Sequence, residues 1–109
     1  MDPRIVTLAK NLVNYSCRVQ PGEKVLIEFA GEEPQVLAKA LVREVIAAGG
    51  FPYIEHGDRQ LLREQLMGAT DESLIAQAKW EKARMESMDC YIGFSGGGNV
   101  NELSDVPSE

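Results

Sequence analysis

Two adjacent carboxylates, Glu32 and Glu33, a histidine, His56, and a third carboxylate, Asp58, are the side chains best suited to a metal or acid–base site. Carboxylates and imidazole are ordinary ligands for divalent ions, and both types move protons in enzymes. His56 is the only histidine of the chain, so no second imidazole can join it. A plainer reading gives each group a structural role. Glu32 and Glu33 stand where a helix begins, and the helix dipole favours negative charge there by ~0.3–1 kcal/mol. Asp58 can cap the next helix, a role worth ~1 kcal/mol. Spacing alone does not supply the mutual geometry of a catalytic constellation. The chain is therefore assigned no catalytic, cofactor-binding or metal-binding residue, and Glu32, Glu33, His56 and Asp58 are kept as rim candidates only.

Other chemistry is weighed and set aside. Gly96-Gly97-Gly98 after a strand suggests a phosphate cradle, but no Gly-Lys-Ser/Thr, no G-x-G-x-x-G and no convincing helix accompanies it, so a flexible connector is expected. Gly93-Phe94-Ser95-Gly96-Gly97 matches the G-x-S-x-G spacing. The nucleophile elbow also needs a following helix, and a triad of that order needs a later histidine; neither is present in these residues. Cys17 and Cys90 lack the close Cys or His neighbours of a metal site. Both are read as buried, reduced thiols in place of small apolar residues. Met67, Met85 and Met88 are read as core filler, and Trp80, among Lys79, Glu81 and Lys82, as half-exposed or as part of a docking face.

The rim exists only if strands and helices alternate. Asp2 and Pro3 open a first helix whose Ile5, Leu8, Ala9, Leu12 and Val13 share one face, with Cys17 at its end. Pro21-Gly22 turns the chain into a near-continuous apolar strand, residues 24–30, of the kind covered on both faces in a parallel sheet. A second helix starts at Pro34, carries Leu37, Leu41, Val45 and Ala48 on a stripe widened by Val42 and Ile46, and stops at Gly49-Gly50. Residues 51–55 form a second strand, with Pro52 suited to a strand start or an edge. Strand, helix, strand nearly dictates a right-handed parallel crossover. Asp58 then opens a short helix to Met67, broken by Gly68; Thr70 or Asp71 opens another to about Ser87, with Leu74, Ala78, Met85 and Met88 in line; residues 90–94 are a third strand. In an open parallel sheet, ligands bind beyond the carboxyl ends of the strands, and those ends carry Glu32 and Glu33, His56 and Asp58, and residues 95–99.

The expected fold class is α/β: three layers, a small mostly parallel sheet of about three strands with flanking helices, forming an incomplete part of a larger α/β domain. Residues 1–95 are read as the N-terminal α/β portion and residues 96–109 as a flexible connector leading into the remainder. The balance of 11 basic against 17 acidic residues, net −6, and the lack of any Lys/Arg run longer than one residue argue against nucleic-acid binding, which needs a basic patch. No apolar run approaches the ~20 residues of a spanning helix, and Met1-Asp2-Pro3-Arg4 does not open a secretory signal, so a cytoplasmic setting is expected. Unpaired edges and uncovered helix faces predict self-association or marginal stability.

The stretch from Leu8 to Ser16 (LAKNLVNYS), then Val19 to Ile27 (VQPGEKVLI), then Leu41 to Gly50 (LVREVIAAGG), resembles the opening of metal-dependent aminopeptidases of the aminopeptidase T and S type. The resemblance continues through Gly96-Gly97-Gly98-Asn99 and Leu103-Ser104-Asp105-Val106-Pro107 and spans nearly the whole chain in order. It implies a non-catalytic N-terminal portion followed by a separate catalytic C-terminal domain absent from this chain. There, two divalent metal ions (zinc, cobalt or similar) held by Glu, His and Asp side chains activate a water that attacks the first peptide bond of a peptide substrate. No ligand of that set maps onto residues 1–109. The resemblance also implies a homodimer. The alternative is a stand-alone doubly wound module binding a small anion or nucleotide at the strand-end rim.

Overall fold

β1 (Lys24–Ala30) is the spine of the sheet, as its unbroken apolar run requires: Val25 and Ile27 are fully buried, and Leu26 and Phe29 nearly so. In the computed structural model, which describes residues 2–95 and the backbone of 100–103, β1 is flanked by two parallel neighbours. These are β2 (Phe51–Gly57) and β3 (Cys90–Ser95). β4 (Val100–Leu103) joins the outer side of β3 antiparallel, giving the order β2-β1-β3-β4. The α/β class with a mostly parallel sheet therefore stands. The three parallel strands are those expected, and the short antiparallel β4 adds to them; a four-residue strand with two apolar residues carries almost no period-two signal.

Alternation along the strands sorts the sheet into two faces. Val25, Ile27 and Phe29 of β1 and Cys90, Ile92 and Phe94 of β3 face one side. There they meet α1 (Pro3–Asn11) and α2 (Gln35–Ala47) through Ala9, Ala38, Leu41 and Val45. This is the hydrophobic core. Asp2 caps α1 by accepting from the Arg4 N–H at 2.8 Å, with Pro3 in the first turn. Beyond Asn11 the helix widens into a π-type turn over Leu12–Ser16, closed by Cys17 N–H donating to Leu12 C=O at 2.9 Å. The widening turns Leu12, Val13 and Cys17 inward together, whereas Leu8, expected on that face, is largely exposed. α2 ends in a Schellman arrangement: Gly49 takes a φ of 84°, and Gly50 N–H donates to Val45 C=O at 2.9 Å. Ile46, expected beside the apolar stripe, faces solvent.

The other face carries Leu26, Glu28, Tyr53, Glu55 and Tyr91, and is spanned by α3 (Arg59–Met67) and α4 (Asp71–Glu86). Their starts follow the sequence: Asp58 accepts from Gln60 N–H at 2.8 Å, and Thr70 forms a capping box with Ser73. Their burial does not. No residue of α3 or α4 is buried, and Met67, read above as core filler, is 71% exposed. Met85 and Met88 are half-buried. No helix of the described residues is long and apolar enough to cross a membrane.

Candidate functional site

The carboxyl ends of β1 and β2 bring all four rim candidates to one open cavity of about 690 Å³, lined by Glu32, Glu33, His56 and Asp58 together with Arg59 and Gln60. The His56 and Asp58 side chains already hold structural positions. The His56 ring stacks on Phe29 at 4.5 Å, and its Nε2–H donates to the Gly31 carbonyl at 3.1 Å, which places the ring proton on Nε2. Asp58 Oδ1 accepts from Gln60 and Leu61 N–H. Glu32 C=O accepts from Gln35 N–H in the turn that opens α2. Among the described residues no three His, Cys, Asp or Glu side chains group so that they could hold a metal ion. The rim thus collects the right residue types without the convergence a metal centre needs.

A second cavity of about 750 Å³ lies between the sheet and the α3–α4 pair, at the ends of the three parallel strands. Leu61, Leu62 and Trp80 form its helical wall, and Glu28, Tyr91 and Gly93 lie on its sheet side. Behind Trp80, Arg84 reaches from α4 to the sheet. Its guanidinium donates to Glu81 at 2.6 Å and to Glu55 at 3.4 Å, stands 3.7 Å from Glu28, and lies 5.3 Å from the Trp80 ring centre. Burial works against the Arg84 charge, but the hydrogen bond to Glu81 and the fields of Glu81, Glu28 and Glu55 outweigh it and hold its pKa above the ordinary arginine value.

Tyr91 donates its hydroxyl proton to Glu28 at 2.8 Å. Burial and that hydrogen bond to a carboxylate push the phenol up to about 12. Gly93 makes the bond possible. It follows Tyr91 by two residues on the same face and pairs with Glu28 in register, so the Tyr91 ring lies over it. A Cβ at Gly93 would run into the Tyr91 hydroxyl. Sequence reading passed over this network. Its one signal was Glu28, a lone charge inside an otherwise apolar strand, which a buried environment tolerates only with partners. The arrangement gathers three carboxylates around one arginine, with the phenol bonded to one of them, Glu28, and fixes α4 over the sheet; it offers no nucleophile.

Cys17 and Cys90 are both buried and not joined by a disulfide. The Cys90 thiol is pushed well up by a hydrogen bond with the Cys17 side chain and by burial, which keeps it protonated and inert. Ser95 closes β3 and lines the second cavity. The glycine run Gly96-Gly97-Gly98, with Asn99, and residues 104–109 lie outside the described residues.

Comparison with known proteins adds what the geometry lacks. The sequence profile of the thermophilic metalloproteases (M29) matches residues 1–109. Among solved structures, wild-type AmpT from Thermus thermophilus aligns with 75% of this chain at 23% sequence identity and a TM-score of 0.56. The chain covers 21% of that structure's length, and the likeness is one of fold. No curated protein matches.

Proposed function

Because the chain belongs to the thermophilic metalloprotease (M29) family, we propose that it is the N-terminal, non-catalytic portion of a cytoplasmic two-metal aminopeptidase that removes N-terminal amino acids from peptides. The observation that carries this reading is the family match along every residue, 1–109, of a chain whose described residues offer no metal-ligand cluster. A chain covering a fifth of AmpT leaves ample room elsewhere for a catalytic domain. The divalent metals, zinc, cobalt or similar, belong there. Bound there, such ions would supply a water of lowered pKa and polarisation of the scissile carbonyl. Residues 1–95 act as scaffold or as a wall of the substrate chamber, residues 96–109 lead into the remainder, and the assembly is a homodimer. The alternative, an anion or nucleotide site at the strand-end rim, is disfavoured by the carboxylates of Glu32, Glu33 and Asp58 that line it.

The test uses amino-acid p-nitroanilides and metal analysis. The 109-residue chain is expected to cleave none of these substrates and to retain no stoichiometric zinc or cobalt. The longer polypeptide encoded with it is expected to cleave them, to stop on chelation and to recover on adding metal. Tight one-to-one metal binding by the chain alone, abolished by His56→Ala, overturns the assignment, as does a longer polypeptide without peptidase activity.

A further inference from the structure

Helix α3 is amphipathic, and none of the described residues covers its apolar stripe. Arg59, Leu62, Arg63, Leu66 and Met67 fall at i, i+3, i+4, i+7 and i+8, one continuous stripe, and together line a shallow apolar groove. All nine residues of α3 are exposed, and a helix of that length is marginal in water without tertiary support. α4 repeats the pattern: Asp71, Leu74, Ile75 and Ala78 share a stripe, with Leu74 43% and Ile75 58% exposed. Contiguous exposed apolar side chains of this kind mark an interaction surface.

Charge decides what fits it. The α3 groove is rimmed by Arg59 and Arg63, while the start of α4 carries Asp71 and Glu72 beside Leu74 and Ile75. None of these four charges forms an ion pair within the described residues. Across the turn through Gly68 and Ala69, the Gln65–Gln77 hydrogen bond at 3.1 Å ties α3 to α4, and both helices line one cavity. Each copy therefore presents a basic apolar groove on α3 and an acidic apolar stripe on α4. We propose that the α3–α4 pair is the surface on which a second copy of this chain docks, the Leu74 and Ile75 ridge of one seating in the Leu62, Leu66 and Met67 groove of the other. Asp71 and Glu72 then meet Arg59 and Arg63 across the contact. The exchange is reciprocal, as a two-fold interface demands. This rests on the homodimer of the proposed function and names its surface.

Sedimentation equilibrium of the 109-residue chain tests it, with circular dichroism and urea unfolding confirming that each variant folds. The wild type is expected to dimerise. Arg59→Glu with Arg63→Glu, or Leu66→Glu alone, is expected to raise the dimer Kd at least about tenfold while leaving the unfolding of the monomer unchanged. Adding Asp71→Lys and Glu72→Lys to the double arginine variant is expected to restore the Kd to within about threefold of wild type. A wild-type chain that stays monomeric at ~1 mM overturns the proposal and the dimer with it. A dimer indifferent to all of these changes overturns the surface alone. Neither result bears on peptide cleavage, which the p-nitroanilide test reads separately.

Discussion

Replacing Arg84 by methionine keeps most of the side chain's length and removes the cation that Glu28, Glu55 and Glu81 share. The arginine side chain is 15% exposed, but the three carboxylates are 35–42% exposed, so solvent screening limits each pair. Pairs of this exposure are worth ~0.2–1 kcal/mol each, and the contact with Trp80 adds ~0.5–1 kcal/mol. The loss should come to about 2 kcal/mol, which for a chain of this size lowers the melting temperature by roughly 8–16 °C. Urea unfolding at pH 7 in low salt measures it. In 1 M NaCl, where the Debye length is ~3 Å, the difference between wild type and variant should shrink markedly. Because α4 buries no residue, Arg84 is its principal tether to the sheet, and amide exchange across α4 should accelerate in the variant before the core strands respond. A change below ~0.5 kcal/mol at low salt, with exchange in α4 unaltered, would refute the account.

Three further outcomes follow from the same structure. Tyr91 is raised in the folded chain and Cys90 more so, so both keep their protons longer folded than unfolded. Their contribution to stability is complete below about pH 8.5 and is lost as pH rises, first as the unfolded thiol ionises and then between about 10 and 12 as unfolded tyrosine does. Urea midpoints across that range check the decline, and Tyr91→Phe should flatten its upper part. Gly93→Ala puts a methyl where the Tyr91 hydroxyl sits, so the ring should swing off Glu28 and the phenol titrate nearer ~10; an unchanged Tyr91 titration by NMR would show that the bond survives. Leu41→Ala, at a fully buried position between α2 and the sheet, should cost about 3 kcal/mol in chemical denaturation.

The scaffold was far more legible than the way it is covered. β1 was readable because a run of buried apolar residues in a parallel sheet leaves no room for polarity, and helix starts were readable because Asp2, Asp58 and Thr70 cap through short-range bonds that local sequence encodes. β2 runs to Gly57, two residues past its expected end, because His56 is held in line by stacking on Phe29, a contact between strands that residues 51–57 alone do not reveal. Periodicity says which residues share a face but not whether anything lies against it. Met67, Leu74 and Ile75 have the same spacing a core would have, and stand in solvent. Glu32, Glu33, His56 and Asp58 meet at one cavity for topological reasons, since parallel strands deliver their carboxyl ends to one side, whereas Ser95 lines the other cavity. The Arg84 network escaped because its members come from β1, β2, α4 and β3, and only register brings them together.

The glycine pair that ends α2 governs more than that helix. Gly49 C=O accepts from Gly22 N–H at 2.9 Å, Phe51 N–H donates to Glu23 C=O at 2.7 Å, and Gly50 is wedged where a Cβ would stand 2.8 Å from Val19. The entries to β1 and β2 are thereby clamped at a single phase. One extra residue between Ala48 and Phe51 would reset the parity of the edge strand, turning Tyr53 and Glu55 to the packed side and lifting His56 off Phe29. The chain can accordingly absorb insertions far more readily at the Gly68–Thr70 turn than at this clamp.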